Sequence, residues 1–220
     1  MIIVAVGLVM FLSSRTGNMP NGTPIINSES DYMGALHQVL NLTHDGVANF
    51  NTGEDLDQRQ KDDIRQAVKL LDSMNTFKES EAAGFFESGL LDYLVGDTDT
   101  AKVRIQQALN NAKITPNLKT PTAQASLEGV IADSHHILGL IAFDRHDYDT
   151  ASRELDEAIK VVTDNHLSRP NIYVARARVE VQLNKLDQAR RDVRQAFAMD
   201  PSCPQALKLT TFLNHLSKSS

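Results

Sequence analysis

The chain has 220 residues, 22 of them basic and 28 acidic, which gives a formal net charge of −6. This length is sufficient for one elongated helical domain and a tail, and the acidic balance argues against general nucleic-acid binding. The only cysteine, Cys203, excludes an intrachain disulfide framework and a cysteine-rich zinc site.

The first twelve residues, MIIVAVGLVMFL, carry no charged side chain and are followed by Ser13, Ser14 and Arg15. At a rise of about 1.5 Å per residue, a helix of this length is shorter than the hydrocarbon core of a membrane, which is about 30 Å thick. We nevertheless expect residues 1–14 to be a membrane anchor or a signal, with the rest of the chain on the extracytoplasmic side. A cleaved signal, a displaced start and an apolar tail packed on the protein stay open, as does the side of the membrane. Residues 15–30 have the composition of a flexible linker.

Two helices are predicted within residues 31–81, at Asp31–Asn49 and Leu56–Asn75, because apolar residues recur there at helical spacing. The charged run Glu54–Asp63 between them is predicted to be solvated surface. The two helices lack the pattern of small residues found further along the chain. We therefore predict a divergent helical pair that covers the first of the pairs described next.

Residues 82–217 contain three blocks that align on the central alanines Ala101, Ala151 and Ala189. In each block a small residue lies twelve positions before the alanine, and a glycine, histidine or asparagine lies five positions before it. Apolar residues follow at four, seven and eight positions after it. In block order, the small residues twelve positions before the alanine are Gly89, Gly139 and Ala177, and the residues five positions before it are Gly96, His146 and Asn184. The apolar residues after the alanine are Ile105, Ala108 and Leu109 in the first block. They are Leu155, Ala158 and Ile159 in the second block and Val193, Ala196 and Phe197 in the third.

This spacing predicts a helix, a tight turn and a second helix in each block. Offsets of zero, four, seven and eight lie on one face of a helix with about 3.6 residues per turn. Glycine, histidine and asparagine tolerate the left-handed backbone that such a turn requires. After the third pair, Pro204 to Leu216 is predicted to be a capping helix that buries Leu209, Phe212, Leu213 and Leu216.

The pattern resembles the tetratricopeptide repeat family. The matching residues are Phe85 and Tyr173 early in the first helix, Leu138-Gly139, Tyr148 at the start of the second helix, and Asp200-Pro201 at the closing turn. His135 departs from the family pattern, and the anchors are 50 and 38 residues apart, against about 34 in the family. We interpret the excess, at Ile114–Leu127 and Thr163–Ser168, as insertions outside the helix pairs. The resemblance implies an all-α fold, a right-handed superhelical array of antiparallel helix pairs that forms a TPR-like α-solenoid.

The resemblance also implies a concave groove lined by the first helix of each pair. Family members that hold an acidic peptide terminus use lysine and asparagine at positions that here are Phe86, Leu90 and Ala175, so that clamp is predicted to be absent. An apolar partner segment fits the groove better. Burial of the groove by the insertion or by the N-terminal helices stays open. The predicted groove residues are Phe86, Leu90, Tyr93, His136, Leu140, Phe143, Val174, Arg178 and Val181.

No motif for catalysis, a metal or another cofactor is found, so we predict a chain that is not an enzyme and binds no nucleic acid. Between Arg169 and Pro201 there are seven basic and four acidic residues, which predicts either a patch for an acidic partner or a solvated face with i,i+4 pairing. The predicted function is a membrane-tethered adaptor for a protein or peptide partner, which assists the assembly of an envelope or secretion complex. The alternative is a module that forms a homo-oligomer through the same apolar surface.

Overall fold

The structure is a computed structural model that describes residues 26, 28–77, 82–114 and 121–216. Within these ranges the chain is all-α, with nine helices and no strand. The described residues up to 50 and those of Asp55–Val130 form one compact unit, here the N-terminal unit; Asn51–Glu54 and the described residues from Ile131 onward form the C-terminal unit. The helices are α1 Glu29–Thr52, α2 Gln58–Phe77, α3 Ala82–Leu94, α4 Thr98–Ile114, α5 Pro121–Asp144, α6 Tyr148–Asp164, α7 Pro170–Gln182, α8 Leu186–Met199 and α9 Pro204–Leu216.

The three predicted helix pairs are confirmed as α3–α4, α5–α6 and α7–α8. Helix α3 packs on α4 and α7 packs on α8, while Gly139 of α5 lies against Leu155 of α6. The alanines that define the template have no exposed surface. The positions four and seven residues later are also buried in all three pairs. The position eight residues later is buried only in the first pair, at Leu109, whereas Ile159 and Phe197 are half-buried.

The turn within each pair has the predicted left-handed residue. The φ angle is 88° at Gly96, 60° at His146 and 57° at Asn184. In each turn the N–H of this residue donates to the carbonyl three positions earlier, and the next N–H donates to the carbonyl five positions earlier. This is the Schellman arrangement, which satisfies carbonyls that the end of a helix would otherwise leave without a partner.

Glycine in the first helix lets the second helix approach closely. A Cβ atom added to Gly89 would lie 2.8 Å from Ile105 Cδ1, and one added to Gly139 would lie 2.7 Å from Leu155 Cγ. Both distances are shorter than a carbon–carbon contact allows. Ile105 and Leu155 are fully buried and have little room to move. The glycine twelve positions before Ala101 and before Ala151 is therefore a packing requirement.

We expect Gly139→Ala to lower the free energy of unfolding by up to about 2 kcal/mol, because overpacking costs about 1–3 kcal/mol while the better helix propensity of alanine returns about 1 kcal/mol. The measurement is urea unfolding followed by circular dichroism. Gly34→Ala is the matched control, since Gly34 lies in α1 with no atom within 4 Å of its added Cβ. That variant should gain up to about 1 kcal/mol. Equal shifts in both variants would contradict the packing requirement.

The N-terminal pair α1–α2 differs less from the other pairs than its sequence indicates. A Cβ atom on Gly46 would lie 2.7 Å from Ile64 Cδ1, a close approach of the kind seen at Gly89 and Gly139. The two residues are 18 positions apart, whereas Gly139 and Leu155 are 16 apart. The longer connection, Gly53–Asp57, accounts for the different spacing and hides the match from a fixed template.

The longer spacing before the second pair has a different origin from the one predicted. Helix α5 begins at Pro121, so residues 121–127 extend the first helix of the pair. The prediction that all of Ile114–Leu127 lies outside the helix pairs is wrong for this part, and residues 115–120 lie outside the described residues. At Thr163–Ser168, helix α6 ends at Asp164 and a turn with left-handed His166 follows.

The capping helix α9 has the predicted bounds, and Leu209 and Leu213 are buried. The prediction that Phe212 faces inward is wrong, since 48% of its surface is exposed. Consecutive residues of a helix are rotated by about 100°, so Phe212 points away from the buried stripe formed by Ala206, Leu209 and Leu213. None of the described helices is long and apolar enough to cross a membrane. The predicted anchor, residues 1–14, lies outside the described residues.

Candidate partner-binding site

Most of the predicted groove residues are inaccessible in the structure. Arg178 is exposed; Tyr93, Phe143 and Val181 are half-buried; Phe86, Leu90, His136, Leu140 and Val174 are buried. The first three in chain order, Phe86, Leu90 and Tyr93, belong to the N-terminal unit, and the other six to the C-terminal unit. The buried five contribute to the packing of the chain itself. A surface that a partner can reach therefore centres on Phe143 and Arg178.

Phe143 and Arg178 are brought into contact although they lie on different helices. The Arg178 Cζ atom is 4.7 Å from the centroid of the Phe143 ring, within the range of a cation–π interaction. Phe143 is near the end of α5, and its carbonyl accepts from the N–H of His146 in the Schellman turn. The turn therefore fixes the backbone that carries the ring. The ring in turn lies against the guanidinium of α7.

Two further aromatic side chains, His146 and Tyr148, extend this surface. The ring centroids of Phe143 and Tyr148 are 5.6 Å apart, and those of His146 and Tyr148 are 6.0 Å apart. His146 Nδ1 and Tyr148 Oη are joined by a 3.0 Å hydrogen bond. From the sequence, only turn and helix-start roles are predicted for these two residues, although Phe143, His146 and Tyr148 lie close together around one turn. We call these four residues, Phe143, His146, Tyr148 and Arg178, the Phe143–Arg178 surface.

His136 adds no positive charge to this region near neutral pH. The side chain is buried on α5, and burial lowers the pKa of its imidazole to about 4, with smaller contributions from the charges of Arg178 and Arg169. The charged form is thus disfavoured by desolvation and by two nearby guanidinium groups. Arg178 is therefore the cation that the Phe143–Arg178 surface presents to solvent.

The opposite side of α7 is occupied by a group of ionic side chains. Arg176 donates from Nε and Nη2 to the two carboxylate oxygens of Asp192 on α8, at 2.7 and 2.8 Å, and from Nη1 to Asp156 on α6, at 2.8 Å. Glu180 lies one helical turn after Arg176, and its buried Oε2 atom has no hydrogen-bond partner. We call Asp156, Arg176, Glu180 and Asp192 the Arg176 cluster.

The Arg176 cluster contains more negative than positive charge, and this excess contributes to a raised pKa of Glu180. Burial raises the pKa of the Glu180 carboxyl to about 7, and the carboxylate of Asp192 adds to the effect, while Arg176 acts against it. Two carboxylates facing one guanidinium in a buried place favour the protonated form of one of them. The hydrogen bonds to Asp192 and Asp156 hold the Arg176 guanidinium in its charged form by raising its pKa further.

A related ion pair occurs in the N-terminal unit. Arg104 on α4 lies 3.1 Å from Asp92 on α3 and 3.0 Å from Asp72 on α2. The Arg104–Asp92 contact lacks hydrogen-bond geometry, since Arg104 Nη1 and Asp92 Oδ2 are both without a hydrogen bond. Burial raises the pKa of Asp92 to about 6 even so. Asp92 and Glu180 occupy the same position, nine residues before the alanines of their pairs.

The basic residues between Arg169 and Pro201 are not paired as an i,i+4 face, so that prediction is wrong. Arg169 donates from Nε to the buried carboxylate of Asp133 on α5 at 3.0 Å, and Arg176 contacts two other helices. The pairing within α8 is the i,i+3 contact of Arg190 with Asp187 at 3.5 Å. Arg169 and Arg176 therefore join helices, whereas Arg190 pairs within α8.

Nothing in the described part of the chain brings three or more histidine, cysteine, aspartate or glutamate side chains together as a metal site. No protein-family model, no curated protein and no solved structure matches the chain.

Proposed function

We propose that the chain is a protein-binding adaptor, which holds a segment of a partner protein against the Phe143–Arg178 surface. The observation that carries the proposal is the contact of an exposed guanidinium with an aromatic ring at the end of a tightly packed helix pair. Aromatic and arginine side chains are enriched among the residues that contribute most to protein interfaces.

The packing of the helix pairs supports a preformed binding surface. The Schellman turn at His146 and the close contact of Gly139 with Leu155 fix α5 against α6, and the Arg176 cluster joins α6, α7 and α8. A receptor that is already ordered loses little conformational entropy when a ligand binds. Such a surface suits a short partner segment, which has few contacts with which to offset an ordering cost.

We further propose that the helix pairs are of the tetratricopeptide type and follow one another in a right-handed superhelical solenoid that ends at α9. The burial of the template alanines and the repeated turn support this assignment. The N-terminal segment, residues 1–14, would tether the adaptor to a membrane on the extracytoplasmic side, in assembly of an envelope or secretion complex. The apolar composition of the segment supports the tether, and release of the chain from membranes by alkaline carbonate would argue against it.

The second candidate function is self-association through the apolar groove. Phe86 has no exposed surface and Leu90 is 5% exposed within a single chain. A dimer through these two side chains would require the helices around them to separate. The burial therefore favours the adaptor, and light scattering of the purified chain separates the two: a monomer supports the adaptor, whereas an obligate dimer with Phe143 in its interface supports self-association.

The adaptor function is tested with a library of random peptides displayed on yeast and sorted with the labelled chain. We expect peptides to be enriched by the wild-type chain and to lose binding to the double variant Phe143→Ala, Arg178→Gln. The matched control is Val103→Ala, Arg191→Gln, which removes an exposed apolar side chain and an exposed arginine elsewhere on the chain. Peptides should bind this control as they bind the wild type. The proposal would be contradicted if no peptide were enriched, or if the enriched peptides bound the double variant and the control variant equally well.

A further inference from the structure

The positive charge of Arg178, on the Phe143–Arg178 surface, is not balanced by a carboxylate in contact with it within the described residues. Arg104, Arg169 and Arg176 each contact at least one carboxylate. Arg178, by contrast, makes no ion pair in the part of the chain that the structure describes, and its contact there is with the Phe143 ring. Its side chain is also exposed. Those three arginines join helices, whereas Arg178 has its donors free for a ligand.

The aromatic ring orients these donors. A guanidinium is planar, and its five N–H donors point outward in that plane. A ring on one face leaves the donors at the edge free and lowers the number of positions that the side chain samples. Carboxylate is the group whose two oxygens match two parallel N–H donors. Phe143 and Tyr148 beside the guanidinium offer apolar surface to a neighbouring side chain of the same ligand.

From this geometry, and resting on the proposed adaptor function, we propose that Arg178 binds the side-chain carboxylate of an aspartate or glutamate within the partner segment, next to an aliphatic or aromatic residue that packs on Phe143 and Tyr148. The exposed guanidinium of Arg178, which makes no ion pair in the described ranges, is complementary in charge and in donor geometry to one carboxylate. A carboxylate at the chain terminus is the other source of this group, and the experiment below separates the two.

The test uses individual peptides from the sorted library, with affinities measured by fluorescence anisotropy on the full chain. We expect enriched peptides to share an acidic residue beside an apolar one. Arg178→Gln should weaken them roughly tenfold or more, since a hydrogen bond between charged groups is lost. Replacing the acidic residue of the peptide by its amide should weaken binding to the wild type by the same factor and should have no further effect on Arg178→Gln. Amidation of the peptide terminus should leave the affinity unchanged.

Arg191→Gln is the charge-matched control, because Arg191 is also exposed and without an ion pair in the described ranges but has no aromatic neighbour in contact. Its affinity should stay within about twofold of the wild type. Phe143→Leu, which keeps an apolar side chain and removes the ring, should weaken binding less than Arg178→Gln does. Thermal unfolding shows whether each variant is folded.

The outcomes separate this proposal from the adaptor function. The carboxylate proposal would be overturned, and the adaptor function left intact, if the affinity of the enriched peptides did not depend on an acidic residue. The same follows if Arg178→Gln and Arg191→Gln lowered the affinity equally. A dependence on the free peptide terminus, or displacement of the peptide by a single-stranded oligonucleotide, would also overturn it. A library without enriched peptides would remove the adaptor function and this proposal together.

Discussion

Replacing Arg176 by methionine is expected to lower the free energy of unfolding by about 3–5 kcal/mol near neutral pH, because removal of one partner leaves buried charges without compensation. Arg176 gives two hydrogen bonds to Asp192, which is 6% exposed, and one to Asp156. Methionine keeps most of the apolar stem of the side chain. The loss therefore reports on charge more than on packing.

The measurement is urea unfolding near pH 7 and again near pH 5, a range in which buried carboxylates without a counter-charge take up protons. The destabilisation should be smaller at the lower pH, because burial raises the pKa of the Glu180 carboxyl to about 7, and its protonation near pH 5 removes one of the charges that Arg176 had balanced. Arg191→Met, on the exposed side of α8, should change the free energy by less than about 0.5 kcal/mol at either pH. A loss for Arg176→Met that is the same at both pH values would mean that packing of the stem accounts for it.

Glu180→Gln is expected to stabilise the chain above neutral pH by roughly 1–3 kcal/mol, because the folded state raises the pKa of this carboxyl from 4.5 to about 7. In the folded state the proton is held more tightly than in the unfolded state, so ionisation opposes folding. Below about pH 4.5 both states are protonated and the wild type carries no penalty. Between about pH 4.5 and pH 7 the unfolded state ionises first and the wild type loses stability; above pH 7 the full penalty is present.

Glutamine resembles the protonated carboxyl and has no such pH dependence. The free energy of unfolding of the two proteins should therefore coincide near pH 4 and diverge as the pH rises to about 8, by at most about 1.4 kcal/mol for each pKa unit of the shift. Glu157→Gln, on the exposed side of α6, is the control and should follow the wild type at every pH. A constant difference between Glu180→Gln and the wild type would show that hydrogen bonding of the amide, and not ionisation, is responsible.

The turns and the core stripe of this fold could be predicted from sequence because they depend on local spacing. Gly96, His146 and Asn184 share one offset from a buried alanine, and each has the left-handed backbone that the offset predicted. Only a few residue types adopt that backbone without a large steric cost, so the presence of one of them at this position predicts the turn. The bounds of α9 were predicted for a similar reason, since Pro204 fixes its first turn.

The ionic contacts could not be predicted, because their partners are set by packing between helices. Arg176 pairs with Asp192 sixteen positions later and with Asp156 twenty positions earlier, and neither separation is a helical repeat on one element. The contact of Arg178 with Phe143 could not be predicted either. The family resemblance placed both residues in one groove, but no spacing in the sequence indicates the cation–π contact between them. The exposure of Phe212 was missed because hydrophobicity alone assigned it to the core.

The Arg176 cluster has a consequence for the behaviour of the chain on heating. The hydration of charged groups becomes less favourable as temperature rises, so the cost of burying Asp192 and of half-burying Arg176 decreases. The hydrophobic gain per unit area levels off over the same range. Helix α9 lies against α7 and α8 mainly through Ala206, Leu209 and Leu213, so its attachment depends on the hydrophobic gain. Heat should thus act unequally on the C-terminal unit, with α9 detaching while α6, α7 and α8 still hold together.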